Sequence, residues 1–289
     1  MQFVLINPCI YAIILHMRKN WFDEKTVVVT GASSGFGKLL SEKLIKNHNC
    51  KVIGIARTQS KLEALKQSLG DNFTFFAFDV GDKSKWLEFD KYLTEQNIQI
   101  DILINNAGVL PPFNGFQNYS VEYIEWVMQT NFFASVYSIN SLLPHLKKSA
   151  YSAIINISSS AALCTVSGTS AYSASKSALK SLTESLILEN KNTYVSIVCP
   201  GFAKTDIFRS QKSINRKESS LISLVCSDPE KIVNKLLKKI GKKRNRIVLG
   251  LDAHLMDFFT RLFPRLTPRI IAWILKRSGV ELFKDVFSD

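Results

Sequence analysis

Short apolar runs recur along the chain at 26–30, 51–56, 73–78, 101–105, 153–158, 195–199 and 246–249. Each is four to six residues long, and most are rich in Val and Ile. They lack the strict polar–apolar alternation of a sheet with one wet face, so they read as strands buried on both sides. Between them lie stretches whose apolar residues fall three and four apart, at 35–46, 61–69, 83–96, 121–146, 172–189 and 230–240. In the first of these the stripe is Leu39, Leu40, Leu44 and Ile45. Short buried strands alternating with helices predict an α/β protein built on a doubly wound parallel sheet. No internal repeat or Pro/Gly-rich linker divides the body, which predicts a single domain over 21–250.

Beyond it, 251–289 reads as a C-terminal amphipathic helical extension. Leu255, Met256, Phe259, Leu262 and Phe263 keep helical spacing, and Thr267-Pro268 reads as the cap and first turn of a helix reaching Lys276. Arg261, Arg265, Arg269, Lys276 and Arg277 border the apolar stripe. The pattern suits a helix lying in a membrane interface and, equally, a cap over the protein's own pocket.

Composition narrows the classes. The 289 residues are 46% hydrophobic and 21% charged, which excludes a disordered or low-complexity chain. The net charge is +13, but it is uneven: 1–208 hold 19 basic and 16 acidic side chains, whereas 209–246 hold 12 and 3. A surplus confined to one late segment is not the footprint of a nucleic-acid reader. The lysine-rich stretch 231–246 has three readings: a solvated face, a surface for anionic lipid, or a dock for an acidic acyl-carrier protein. Five scattered Cys with no CxxC pair, and four His without ligand spacing, speak against a disulfide framework and a metal site. A reducing, cytoplasmic setting is expected.

The first 20 residues form a separate apolar segment. Its run at 3–15 has only 13 residues and is interrupted by Asn7 and Pro8, against the roughly 20 needed to span a bilayer. It also lacks the charge order and cleavage site of a secretory signal. It reads as a shallow anchor with Arg18 and Lys19 on the cytoplasmic side, as an arm packed on the body, or as a stretch preceding a true start at Met17.

In a doubly wound sheet, ligands bind beyond the carboxyl ends of the strands. After the first strand stands Thr30-Gly31-Ala32-Ser33-Ser34-Gly35-Phe36-Gly37, opening a helix. Glycines there permit a tight turn and close approach of backbone to a pyrophosphate, whose charge meets the helix N-terminus. The second strand ends in Arg57-Thr58, with no carboxylate to bind a ribose 2′-hydroxyl. A guanidinium and a hydroxyl suit the 2′-phosphate of NADP, so NADP(H) is preferred over NAD(H); a plain surface Arg is the alternative.

Tyr172 and Lys176 are four residues apart at the start of a predicted helix and share one face. A nearby ammonium would lower the phenol from its ordinary pKa of about 10, making Tyr172 a general acid–base for a carbonyl or alcohol oxygen. Ser159 lies 13 residues earlier, at the end of a strand, where its hydroxyl could meet the same oxygen.

The ordered set TGxxxGxG, Asn-Asn-Ala-Gly (105–108), Asn131, Ser159, YxxxK and PGxxxT (200–205) resembles the short-chain dehydrogenase/reductase family over about residues 22–206. The resemblance implies a Rossmann fold and hydride transfer between nicotinamide and a substrate carbon. Tyr172 would be the acid–base, Lys176 would lower its pKa and hold the nicotinamide ribose, Ser159 would polarise the carbonyl, and Asn131 would hold a relay water. Gly31, Ser33, Ser34, Gly35, Phe36 and Gly37 would cradle the cofactor, with Arg57 and Thr58 at its 2′-phosphate and Asp79 and Val80 at the adenine. Asn106, Ala107 and Gly108 would lie beside it, and Pro200, Gly201 and Thr205 near the carboxamide. Residues 207–227 would form a substrate lid, and a homodimer or homotetramer is expected.

The loop 161–171 carries no Arg or His to clamp a carboxylate. With the apolar tail, this favours a lipophilic carbonyl or alcohol such as a ketosteroid, retinoid or keto-lipid, and peripheral association with anionic membrane. A 3-oxoacyl-(acyl-carrier-protein) reductase is the alternative, and a catalytically quiet nucleotide-binding scaffold is the alternative of another class.

Overall fold

A computed structural model describes residues 20–203, 226–278 and 280–287. The expectations for 1–19, for Thr205 and for the lid up to residue 225 lie outside the described residues.

All seven expected strands form: β1 (Thr26–Thr30), β2 (Lys51–Ala56), β3 (Phe73–Ala77), β4 (Ile102–Asn105), β5 (Ala153–Ile157), β6 (Tyr194–Pro200) and β7 (Arg246–Leu249). They make one sheet in the order β3-β2-β1-β4-β5-β6-β7, every neighbouring pair parallel. β1 shows why the runs are continuous. Val27 and Val29 join one core layer with Leu40, Leu44 and Ile232, while Val28 joins the opposite layer with Trp86, Leu103 and Leu142. The first layer is covered by α1 (Gly35–His48), α2 (Gln59–Leu69) and α7 (Pro229–Gly241). The second is covered by α3 (Lys83–Glu95), α5 (Ala134–Leu146) and α6 (Ser170–Glu189). The chain leaves β1 toward β2 and β3 on one side and returns to β4 on the other. That reversal opens a crevice at the carboxyl ends of β1 and β4.

Two expectations are corrected. The helix expected over 121–146 is two helices, α4 (Val121–Met128) and α5, joined by a π turn over Gln129–Phe133. A single widened turn leaves the apolar stripe intact on both sides, so periodicity passes over it. The Thr267-Pro268 cap does not form. Thr267 is inside α9 (Leu266–Arg277), its hydroxyl donating to the Phe263 carbonyl at 3.0 Å, and Arg265 stands at the cap. The same carbonyl accepts the Leu266 and Thr267 N–H groups, which starts the helix earlier. α9 follows α8 (Leu251–Leu262), and a 3-10 segment over Glu281–Val286 completes the described chain.

The charge-rich α7 resolves into two faces. Ile232, Val233, Leu236, Leu237 and Ile240 are buried, and the lysines stand around the rest. Lys239 is an exception, donating to the Val248 carbonyl at 2.9 Å. No helix among the described residues is long and apolar enough to cross a membrane.

Candidate active site

The crevice is walled first by backbone. Gly31 has a φ of 67°, and a Cβ on Gly37 would lie 2.1 Å from the Gly31 carbonyl oxygen. That contact fixes how closely α1 approaches the turn after β1. The Thr30 hydroxyl accepts the N–H groups of Asn106 (2.9 Å) and Ala107 (3.0 Å), and the Asn106 amide donates back to the Thr30 carbonyl at 2.9 Å. The ends of β1 and β4 are thereby tied together. Deeper, a buried chain runs from Ser138 to Asn105 (2.7 Å), Asn105 to Asn156 (2.9 Å) and Asn156 to Thr183 (2.9 Å). It locks α5, β4, β5 and α6 in register below the site, since each of these buried polar groups needs its partner.

Tyr172 and Lys176 occupy the first two turns of α6, both buried. Of the three serines after β5, Ser158 donates its hydroxyl to the Lys176 carbonyl (2.8 Å) and Ser160 is buried. Ser159 is the one whose side chain hydrogen-bonds Tyr172, while its oxygen also accepts the Ala161 N–H at 3.1 Å. The Lys176 ammonium donates to the Ile157 carbonyl at 3.1 Å. A Cβ on Gly108 would come within 3.0 Å of that ammonium and 3.1 Å of the Asn131 side-chain oxygen.

Asn131, fully buried in the π turn, accepts from the Val109 N–H (2.7 Å) and donates to the Val109 carbonyl (2.9 Å) and Ser175 (3.0 Å). Its side chain is therefore engaged with protein. A widened turn loosens the ordinary helix ladder, so main-chain carbonyls are the groups there suited to meet a water.

The electrostatics depart from the sequence expectation. Burial pushes the Tyr172 phenol up, the Ser159 hydrogen bond offsets part of that, and nearby Cys199 adds to the rise. Burial pulls Lys176 down to about 8. The rise runs opposite to the expected lowering of Tyr172 by Lys176. Cys199 itself is pushed up to about 11 by burial and stays a neutral thiol near pH 7.

These groups border a cleft of about 380 Å³. It brings together Gly31, Ser34, Gly35, Phe36, Asn106, Ala107, Gly108, Ser159, Tyr172, Lys176, Pro200 and Gly201 from the expected set. Gly37 lies beneath this wall, buried, and Asn131 behind it. Ser33, Arg57, Thr58, Asp79 and Val80 are not among the lining residues. Arg57 and Thr58 stand exposed past the end of β2, and the Arg57 guanidinium is 3.9 Å from the Asp79 carboxylate. The Val80 side chain is buried in the second core layer, and its carbonyl accepts the Trp86 indole N–H at 2.9 Å.

The donor set fits a dinucleotide. Ser34 at the start of α1 makes no side-chain capping bond, and the first turn carries no acidic residue. Its N–H groups and positive dipole end are open toward an anion, beside glycines that allow close approach.

Packing of the extension on the protein's own body was one of two readings of its sequence, but the residues it meets were not identified there. Leu110, Phe113, Ala161, Cys164, Val166 and Tyr172 cluster with Met256 of α8, and Ile271, Leu275, Phe283 and Val286 pack on them. The inner side of the extension thus packs behind residues that line the cleft, among them Leu110, Phe113, Val166 and Tyr172. One signal was available in Gly168, whose φ is 81° and whose Cβ would lie 2.5 Å from Val286.

The short chain dehydrogenase family profile matches residues 25–216. A Drosophila melanogaster protein named dehydrogenase/reductase SDR family protein 7-like is 30% identical over 281 residues, covering 91% of this chain and 83% of that protein. The ketoacyl reductase HetN of Nostoc is 30% identical over 262 residues, 86% of this chain and 88% of its own. A solved short-chain dehydrogenase from Streptomyces avermitilis superposes with a TM-score of 0.73 at 26% identity, covering 89% of this chain and 98% of that one. Solved neighbours include complexes with NADP+ and with NAD. The chain belongs to the short-chain dehydrogenase family, and is a dehydrogenase/reductase.

Proposed function

We propose that the protein interconverts a carbonyl and a secondary alcohol on a lipophilic substrate with NADP(H), using Tyr172 as the acid–base. The reading rests on one observation: Ser159, Tyr172 and Lys176 meet at a cleft where Lys176 is the only charged side chain among the described lining residues. When bound, the nicotinamide supplies a hydride to the carbonyl carbon or accepts one from the alcohol.

Every other task falls to the chain. A phenol raised by burial is neutral at pH 7 and can donate its proton as the alcohol forms. Ser159, already hydrogen-bonded to Tyr172, would share the substrate oxygen and polarise it. The phenolate left behind would be countered by the Lys176 ammonium on the same helix face. Asn131 acts as a positioning residue, holding Val109 against the cleft, and a relay water would meet the main-chain carbonyls of its π turn. The absence of a carboxylate at the end of β2 supports NADP(H), with Arg57 and Thr58 at the 2′-phosphate. Asp79 is a weak competitor for Arg57, because both are about half exposed, at 59% and 46%, and such a pair is worth at most about 1 kcal/mol. The apolar lining of Leu110, Phe113, Trp126 and Val166, backed by Met256 and Phe283, supports an apolar substrate, and the ketoacyl reductase among the relatives is compatible with a keto-lipid.

The test is NADPH oxidation on a panel of apolar ketones by the wild type and Tyr172→Phe. The wild type is expected to turn over, and the variant to lose about 10²–10⁴-fold in rate. A variant at full rate would sink the proposal.

A further inference from the structure

Helices α8 and α9 have two different faces. Inward, Ala253, Met256 and Thr267 are buried, and Ile271 and Leu275 pack on the cluster that contains Tyr172. Outward stand Leu255, Phe258, Phe259, Leu262, Phe263, Leu266, Ile270, Trp273 and Ile274, all exposed. Nine large apolar side chains on one helical hairpin exceed the scattered exposure normal for a soluble surface.

The charges around this face are of one sign. Arg261, Arg265, Arg269, Lys276 and Arg277 are all exposed. The two carboxylates of the helices are turned back into the protein. Asp252 accepts the Phe202 N–H at 2.7 Å, and Asp257 accepts from Arg246 at 2.7 and 2.8 Å and from Arg261 at 3.1 Å. The Arg277 guanidinium lies 4.7 Å from the Trp273 ring centroid. An apolar face rimmed by long cationic side chains, with no free carboxylate on either helix, matches one occupant in both chemistry and charge. Aliphatic and aromatic residues enter the acyl boundary, the aromatic–cation pair sits at headgroup level, and the arginines meet phosphate. A second copy of the same face would bring Arg265, Arg269, Lys276 and Arg277 against the same four cations, so self-association is opposed by the charges that favour an anionic lipid.

We propose that the α8–α9 hairpin docks the protein on an anionic phospholipid bilayer. Its inner face packs on the cluster that contains Tyr172, so the docked hairpin would lie between that cluster and the membrane. The docking claim stands apart from the proposed activity, and its test reads binding alone.

The full chain is sedimented with vesicles of phosphatidylcholine containing phosphatidylserine, beside vesicles of phosphatidylcholine alone. Binding that requires phosphatidylserine is expected. The double variant Phe259→Glu/Trp273→Glu is expected to lose about ten-fold or more in partition. A second variant, Arg265→Glu/Arg269→Glu, leaves the apolar face intact and is expected to lose the phosphatidylserine-dependent part. Thermal unfolding by circular dichroism, unchanged in both, shows that they are folded. Three results would overturn the proposal. One is no binding to either vesicle. Another is equal binding by the wild type and both variants, which would place the contact outside the hairpin. The last is a lipid-free dimer, seen by sedimentation velocity, that the first variant dissolves.

Discussion

The two sides of the cleft are built from different materials. On the cofactor side the wall is main chain and short polar side chains: Gly31 against Gly37, Thr30 against Asn106, and Gly108 against Lys176. Contacts there leave no room for a further carbon, and hydrogen bonds fix the approach of β1 to β4. On the other side the wall is apolar side chain, including Leu110, Phe113 and Val166, and Leu275, Phe283 and Val286 pack behind it, only partly buried. One side suits a ligand of fixed shape through backbone geometry that few sequences allow. The other can trade one hydrophobic group for another at small cost. The contrast teaches that reaction class and substrate choice are set by physically separable parts of the same pocket.

The contrast breaks first at Gly37. Gly37→Ala puts a Cβ 2.1 Å from a carbonyl oxygen, a backbone atom that no rotamer can move. The expected cost is above about 4 kcal/mol, enough to remove most of the folding stability of an ordinary domain. Denaturant unfolding measures it, and a loss under about 1 kcal/mol would show that this side is as yielding as the other.

Next comes the buried lysine. Burial lowers Lys176 to about 8 in the folded protein, against 10.5 for the ordinary side chain. The folded state therefore binds fewer protons than the unfolded one between those values, and stability from this group rises with pH there. Its full cost, about 3 kcal/mol as an order of magnitude, is present below about pH 8 and is relieved toward 10.5. The Tyr172 phenol, raised above 10, remains protonated through most of that window. Between pH 7 and 10 the wild type should gain on Lys176→Met, as read by the difference in unfolding free energy. Parallel pH profiles would mean that the ammonium is not desolvated.

The same contrast explains what the sequence made legible. Backbone constraints leave residue-type signatures at fixed spacing: only glycine serves at Gly31, and Tyr172 and Lys176 must be four apart to share a face. The strands were legible because burial on both sides forces unbroken apolar runs such as Val27-Val28-Val29. The π turn was not, because Asn131 is held by Val109 across 22 positions and nothing local marks the extra residue. The packing of the extension was legible only as one of two readings. Its stripe at Met256 announces a buried face without saying what covers it, and Phe283 reaches Phe113 at 4.9 Å across 170 positions. The phenol's electrostatics were misjudged for a related reason. Spacing from Lys176 is visible in the sequence, whereas the burial that raises the phenol is a property of the assembled fold.

The smallest expected effect sharpens the contrast most. Val286 is half-buried, with the cleft wall on one side and Gly168 close against its methyl groups. Val286→Ala removes two methyl groups from a site already partly wetted, so the stability loss should stay near about 1 kcal/mol. If the two sides act separately, the Michaelis constant for an apolar ketone rises a few-fold, roughly 2–5 times for 1 kcal/mol or less of lost burial. The Michaelis constant for NADPH and the maximal rate should hold, since no cofactor-side contact reaches Val286. Steady-state kinetics with both substrates varied read the two constants independently. A matched rise in the NADPH constant would show that the wall and the cradle move together, and the cleft would then be one unit whose substrate side cannot be retuned without disturbing the chemistry.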